Sequence, residues 1–203
     1  LGELSREDGV QVEMFQDLLS IIPGIGKMES KGKLHITMAV IRAPTPEDVK
    51  AVLDQTQEAI RELVGIIEDG QFLIGVAGLI FLESAEQTCV ASETKLGAST
   101  LKLLRTLIWE RLKSRITDQV LCPHLTLFRR SQLSPCHQRK AEISCRDTKL
   151  GTFMAESVTV RCRKGDNPIG GVLGWRLSLK DPKSEPEVIR EVADADRLIV
   201  VKS

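Results

Sequence analysis

The chain has 203 residues, in which 28 Lys plus Arg balance 28 Asp plus Glu, and 42% of its residues are hydrophobic. A chain of this size can bury a core without metal or disulfide staples, its aliphatic content excludes disorder as the main state, and no apolar run approaches the roughly 20 residues of a membrane span. Aromatic residues are only 3%, with no Tyr, so few side chains are available for stacking on bases.

Residues 10–22 set Val10, Met14, Leu18 and Ile21 at helical spacing, and Pro23-Gly24 ends the run. Gly24-Ile25-Gly26-Lys27 is no phosphate loop, because position 21 is Ile where the first glycine is needed and Met28 replaces the hydroxyl residue. Leu34, Ile36, Met38 and Val40 alternate with other residues and predict a strand over 34–40. The next helix has Thr45 as cap, Pro46 in its first turn and Glu47 and Asp48 at the positive end of its dipole. Its apolar stripe is Val49, Val52, Leu53, Ile60, Leu63, Val64 and Ile67.

Two strand-like segments, 72–82 and 88–92, follow as a hairpin, and a helix capped by Ser99 runs to about Arg115 with Leu101, Leu104, Ile108 and Leu112 inward. Trp109 flanks that stripe and reads as a core residue. Pro123 starts a strand over 124–128, a basic loop follows, and 153–162 and 171–179 read as strands around Gly165-Asp166-Asn167-Pro168. The domain spans 1–180. Residues 181–203 form a tail, with Val188, Val192 and Ala195 at helical spacing, that either packs or binds a protein partner.

Residues 129–164 hold nine basic side chains against three acids, a stretch that could attract phosphate but by itself reads as surface charge. The five Cys are odd in number and lack a C-x-x-C pair, which fits reduced thiols in the cytoplasm or nucleus. Cys136, His137, Cys145 and Cys162 match no zinc module, so no metal is assigned. His137 reads as solvated. The first residue is Leu and no signal pattern follows it, so the sequence reads as a piece of a longer protein.

The informative feature is a repeated tetrapeptide, His35-Ile36-Thr37-Met38 and His124-Leu125-Thr126-Leu127. Alternation along a strand puts His and Thr on one face and the aliphatic residues on the other. If the two strands meet, two imidazoles and two hydroxyls line one groove. An imidazole titrates near neutral pH, so one ring can take a proton from the attacking oxygen while the other protonates the leaving oxygen. The hydroxyls of Thr37 and Thr126 can then donate to the non-bridging oxygens of a phosphodiester, and Arg129 can add positive charge. A Cys122 nucleophile competes poorly, since no orienting acid lies near it.

The paired motifs Leu34-His35-Ile36-Thr37 and Pro123-His124-Leu125-Thr126-Leu127, their wide separation and the element order resemble the two-histidine phosphoesterases over roughly residues 10–180. That family includes bacterial RNA-ligase-like proteins, cyclic-nucleotide phosphodiesterases and the central domain of certain A-kinase-anchoring proteins. The resemblance implies a bilobal, pseudo-symmetric α+β fold, with two antiparallel sheets forming a central cleft and helices packed outside. It implies His35 and His124 as the acid/base pair, Thr37, Thr126 and Arg129 as phosphate-binding, and no cofactor. The implied reaction is metal-independent cleavage of 2′,3′-cyclic phosphates or 2′,5′-linked oligonucleotides; the other class left open is a module that binds nucleotides or RNA without turnover.

Two departures stand out. The strand that usually precedes the first helix has no apolar counterpart in residues 1–9, and Gly170-Gly171 is followed by Val172 where the family offers an aromatic residue. Phe128 and Trp175 are the candidates to contact a base instead.

Overall fold

The computed structural model describes residues 6–29, 35–67, 72–83, 87–118, 123–162, 169 and 172–190. Helix α1 spans Arg6–Ser20, and residues 1–5, where a preceding strand would lie, are outside the described residues. Its apolar spacing marks the helix but not the face that packs. Met14, Leu18 and Ile21 are 61%, 65% and 78% exposed, whereas Val12, Gln16 and Leu19 are buried.

The following strands are short, β1 (Lys27–Met28) and β2 (Val40–Ile41), so the strand expected over 34–40 is reduced. Leu34 lies outside the described residues, and of the rest only Ile36 pairs before β2, in an antiparallel bridge with Leu125. Burial still alternates, with Ile36 and Met38 buried and His35, Thr37 and Ala39 half-buried.

Helix α2 (Pro46–Ile66) starts as its sequence dictates. The Thr45 hydroxyl accepts from the Asp48 N–H at 3.1 Å while the Asp48 carboxylate accepts from the Thr45 N–H at 3.2 Å, a reciprocal cap that satisfies two otherwise orphaned donors. Its buried face adds Thr56 and Ala59 to the expected aliphatic stripe. The hairpin β3 (Leu73–Glu83) and β4 (Thr88–Leu96) forms as expected, with β4 running four residues further.

Helix α3 (Ala98–Leu112) is entered through Gly97 rather than capped by Ser99. Gly97 has φ +71, and a Cβ there would stand 2.3 Å from the Leu73 carbonyl oxygen, so only glycine lets the strand turn into the helix this close to β3. Trp109 is half-buried on its flank.

After β5 (Ile116–Asp118) and β6 (His124–Arg129), the expected basic loop contains a helix, α4 (Pro135–Cys145), with Pro135 in its first turn. It buries none of its residues, so it carries little apolar periodicity for the sequence to display. The single strand expected over 153–162 is two, β7 (Lys149–Met154) and β8 (Ser157–Arg161), each in a different sheet. The turn at 165–168 lies outside the described residues. β9 (Val172–Ser178) pairs with both β8 and β10 (Glu187–Arg190), so Val188 sits in a strand and not in a helix. Gln57 and Arg61 of α2 donate to the Pro182 carbonyl, which ties the start of the tail to the domain; residues 191–203 are outside the described chain.

The result is an α+β fold with antiparallel sheets and a central cleft. One sheet has the order β1-β6-β4-β3-β7; a three-stranded sheet, β10-β9-β8, and the ribbon β2-β5 complete the described strands. The main core gathers Ile36, Ile60, Leu63, Leu104, Leu125, Leu127 and Phe128 with their neighbours. Burial of so many aliphatic side chains at roughly 25 cal/mol per Å² supplies the driving force for folding.

Candidate functional site

The two motif segments are antiparallel partners. Ile36 bridges Leu125, Val40 pairs with Asp118, Ile41 with Ile116, and the Arg42 N–H donates to the Arg115 carbonyl at 2.8 Å. On the other side of the motif, Lys27 and Met28 pair with Arg129 and Phe128. Where both are described, the first segment therefore runs antiparallel alongside the second between residues 27 and 42; residues 30–34 and 119–122 lie outside the described residues. Gln16, fully buried on α1, ties that helix to both segments by donating to the carbonyls of Leu127 and Glu29 at 3.1 and 3.3 Å.

That bridge fixes the local geometry. With Ile36 opposite Leu125, His35 stands opposite Thr126 and Thr37 opposite His124, a local two-fold arrangement of the two tetrapeptides. Ile36 and Leu125 are 2% and 1% exposed on the core side, while His35, Thr37, His124 and Thr126 are all half-buried on the other. Directly opposed residues in such a pair have Cβ atoms about 5 Å apart and diagonal ones about 7 Å, so the two imidazoles are diagonal neighbours. The four side chains that sequence alternation puts on one face are together.

The two aromatic candidates are not brought to that face. Phe128 is 1% exposed within the main core and offers no ring face to a base. The cause is a register shift between β4 and β6, which makes Leu127 and Phe128 both point into the core where simple alternation would bury only one. Trp175 is 7% exposed and packs with Val49 and Val172 beneath α2, so it too is a core residue. Arg129 lies three residues along β6 from Thr126, about 10 Å at strand rise, on the polar side beyond the register shift, and its guanidinium is paired with Glu29.

Other site chemistry lies elsewhere. His137 is exposed and bonded to the Ser134 hydroxyl at 2.8 Å. Cys89, Cys136, Cys145 and Cys162 are free, and burial pushes the thiols of Cys89, Cys145 and Cys162 up from their ordinary values, which makes them poorer nucleophiles. Cys122 lies outside the described residues. Among the described residues no three His, Cys, Asp or Glu side chains gather as a metal site, and no helix is long and apolar enough to cross a membrane.

One residue near the four was not singled out from the sequence. Glu93 of β4 pairs directly with His124, on the opposite side of β6 from Thr37. Its placement depends on a register between segments 31 positions apart, which no local pattern encodes.

No protein-family profile and no curated protein sequence matches the chain. Solved structures do. E. coli LigT complexed with NADP+ superposes with a TM-score of 0.50 at 14% identity, covering 79% of this chain and 86% of LigT. The chain has the fold of LigT. Apo E. coli LigT (TM-score 0.49, 15% identity, 79% of this chain and 86% of that one) is also similar to this chain. So is Kluyveromyces marxianus Usb1 with uridine monophosphate (TM-score 0.48, 12% identity, 77% and 88%).

Proposed function

We propose that the chain is a metal-independent phosphodiesterase acting on RNA ends or small nucleotides, with His35 and His124 as the proton-transfer pair and Thr37 and Thr126 holding the phosphate. The observation that carries this reading is the antiparallel bridge between Ile36 and Leu125, because it sets both motifs side by side with their polar residues on one face. The nucleotide bound to LigT, a protein of the same fold, is consistent with it.

On a 2′,3′-cyclic phosphate one imidazole takes a proton from water as the water oxygen bonds to phosphorus. The bond from phosphorus to one ribose oxygen breaks, and the other imidazole, protonated beforehand, gives its proton to that oxygen. Threonine hydroxyls on the non-bridging oxygens favour the charge that builds there. Both proton transfers are supplied by the chain's own side chains. The local two-fold lets the histidines exchange roles when the substrate is reversed. Four free thiols suit work in a reducing compartment, the cytoplasm or nucleus.

The test is a panel of 2′,3′-cyclic, 3′,5′-cyclic and 2′,5′-linked substrates assayed in EDTA, with ligand binding measured in parallel. Turnover of at least one substrate, lost in both His35→Ala and His124→Ala while folding persists, is the expected result. Turnover that survives both substitutions overturns the assignment. Binding without turnover selects the alternative, a nucleotide- or RNA-binding module that uses the same groove.

A further inference from the structure

The polar face that carries His124 continues across the sheet. Glu93 of β4 is directly opposite His124, and Ala77 of β3 is directly opposite Glu93. Residues opposed in antiparallel pairs share a face, so Thr37, His124, Glu93 and Ala77 form one row. At its end, two strand spacings or about 10 Å from β6, α4 lies against β3. Between them is an open hollow of about 270 Å³ whose walls include Gly78, Glu93, Lys95, Arg139, Glu142 and Arg146. Glu93 thus belongs to both features, and the hollow adjoins the His–Thr groove.

The hollow is built into the fold. The register of β3 against β4 shifts between Ala77 and Ile80, and Gly78 within that bulge has φ +71. Its N–H donates to the Thr148 carbonyl at 2.8 Å, and a Cβ there would stand 3.1 Å from the Arg146 carbonyl oxygen. Glycine therefore lets the chain leaving α4, which carries Arg146, seat directly on the strand. Glu142 anchors the helix itself by accepting from the Phe81 N–H at 3.3 Å, and it also accepts from Arg139 at 3.5 Å.

The charge in this hollow leans positive by one: Lys95, Arg139 and Arg146 line it with two acids, Glu93 and Glu142. Lys95 and Arg139 are paired with Glu93 and Glu142, but their side chains are 56% and 69% exposed. Exposed pairs of this kind contribute little, so either cation can exchange its carboxylate for phosphate, which arginine binds through two parallel N–H bonds.

We infer that this hollow is a subsite for a backbone phosphate of a single-stranded oligonucleotide whose reacting phosphate lies between His35 and His124. The inference rests on the proposed function of that groove and extends it: the substrate is a strand rather than a lone nucleotide. It also gives a use to part of the basic run in residues 129–164. With Phe128 and Trp175 buried in the core, phosphate contacts carry the grip, so binding is tolerant of sequence and steeply dependent on salt.

The experiment compares an RNA hexamer ending in a 2′,3′-cyclic phosphate with the cyclic mononucleotide of the same terminal base. The quantity read is the ratio of their kcat/KM values in wild type and in the Arg139→Glu/Arg146→Glu double variant. The expected result is a ratio at least tenfold lower in the variant, together with a hexamer salt slope reduced by about one to two. An unchanged ratio in a variant with the wild-type melting curve overturns the subsite and leaves the groove reading intact. Should the double variant fail to fold, Arg146→Gln is read in the same way with a threefold fall expected. Oligoglutamate that competes as strongly as an RNA of equal length also overturns it, by showing a site for acidic peptide. If wild type turns over neither substrate, the groove reading fails as catalysis, and the same ratio is read from fluorescence anisotropy of the labelled hexamer and nucleotide.

Discussion

The two tetrapeptides are nearly the same in sequence and differ in support. His124 to Leu127 lie in β6, an inner strand with β4 on one side and the first segment on the other. His35 to Met38 lie at the sheet margin, joined to β6 through the Ile36 bridge, with short β2 beyond it. Chemical pattern is thus shared between regions that the fold holds with unequal firmness. One histidine of the proposed pair rests on an inner strand, and the other on an edge that must be kept in register by its buried aliphatic residues.

The largest expected effect ignores that inequality. If both imidazoles move protons, His35→Ala and His124→Ala each lower kcat by about 10³, within the range usual for acid–base groups, and a pH–rate profile of wild type is bell-shaped. Single-turnover kinetics checks this; a loss confined to His124→Ala would show that the edge motif is structural. Next come the aliphatic partners. Leu125→Ala and Ile36→Ala each remove a nearly fully buried side chain, and each is expected to cost about 3 kcal/mol in a urea titration. Leu125→Ala loosens an inner strand and lowers stability throughout. Ile36→Ala frees the edge first, so amide exchange at 35–38 speeds up more than at 124–127, as hydrogen-exchange mass spectrometry would reveal.

Smaller effects lie where the ribbon leaves the motifs. Thr45→Ala removes the reciprocal cap of α2 and is expected to cost about 1 kcal/mol, seen as a lower Tm. Asp48, which completes that cap, is also paired with Arg115 beside the start of β5. The hydrogen bond from the Arg115 guanidinium, then that with Thr45, holds its carboxyl below the ordinary aspartate range. A carboxyl depressed on folding contributes stability that is present above its unfolded value, about 3.9, and is lost as pH falls through the folded value. Wild type should therefore lose Tm more steeply than Asp48→Asn as pH drops below about 4, and parallel acid limbs would refute the link.

Several elements were legible in the residues themselves. The α2 start followed from Thr45, Pro46 and Asp48, because capping is chemistry between residues three apart. Strand alternation in both motifs also held in burial, even where Ile36 forms a bridge and not a ladder. Helix α4 was not legible, since it buries nothing and shows no apolar period. Nor was the inward face of α1, where the residues at helical spacing, Met14, Leu18 and Ile21, are exposed and fully buried Gln16 donates to the carbonyls of Leu127 and Glu29.

The sequence by itself determined which side chains share a face within each motif, because alternation along a strand is a local property of the backbone. It also determined that a phosphate-directed pair of histidines was the chemistry to look for. Only the tertiary structure decided that residues 36 and 125 would stand on neighbouring segments, that one register shift would turn Phe128 into the core, and that a bulge at Gly78 would seat the Arg146 backbone against β3. Those outcomes depend on registers between distant segments, which are set by the sum of core packing and hydrogen bonding over the whole sheet and carry no signature in any short stretch of chain.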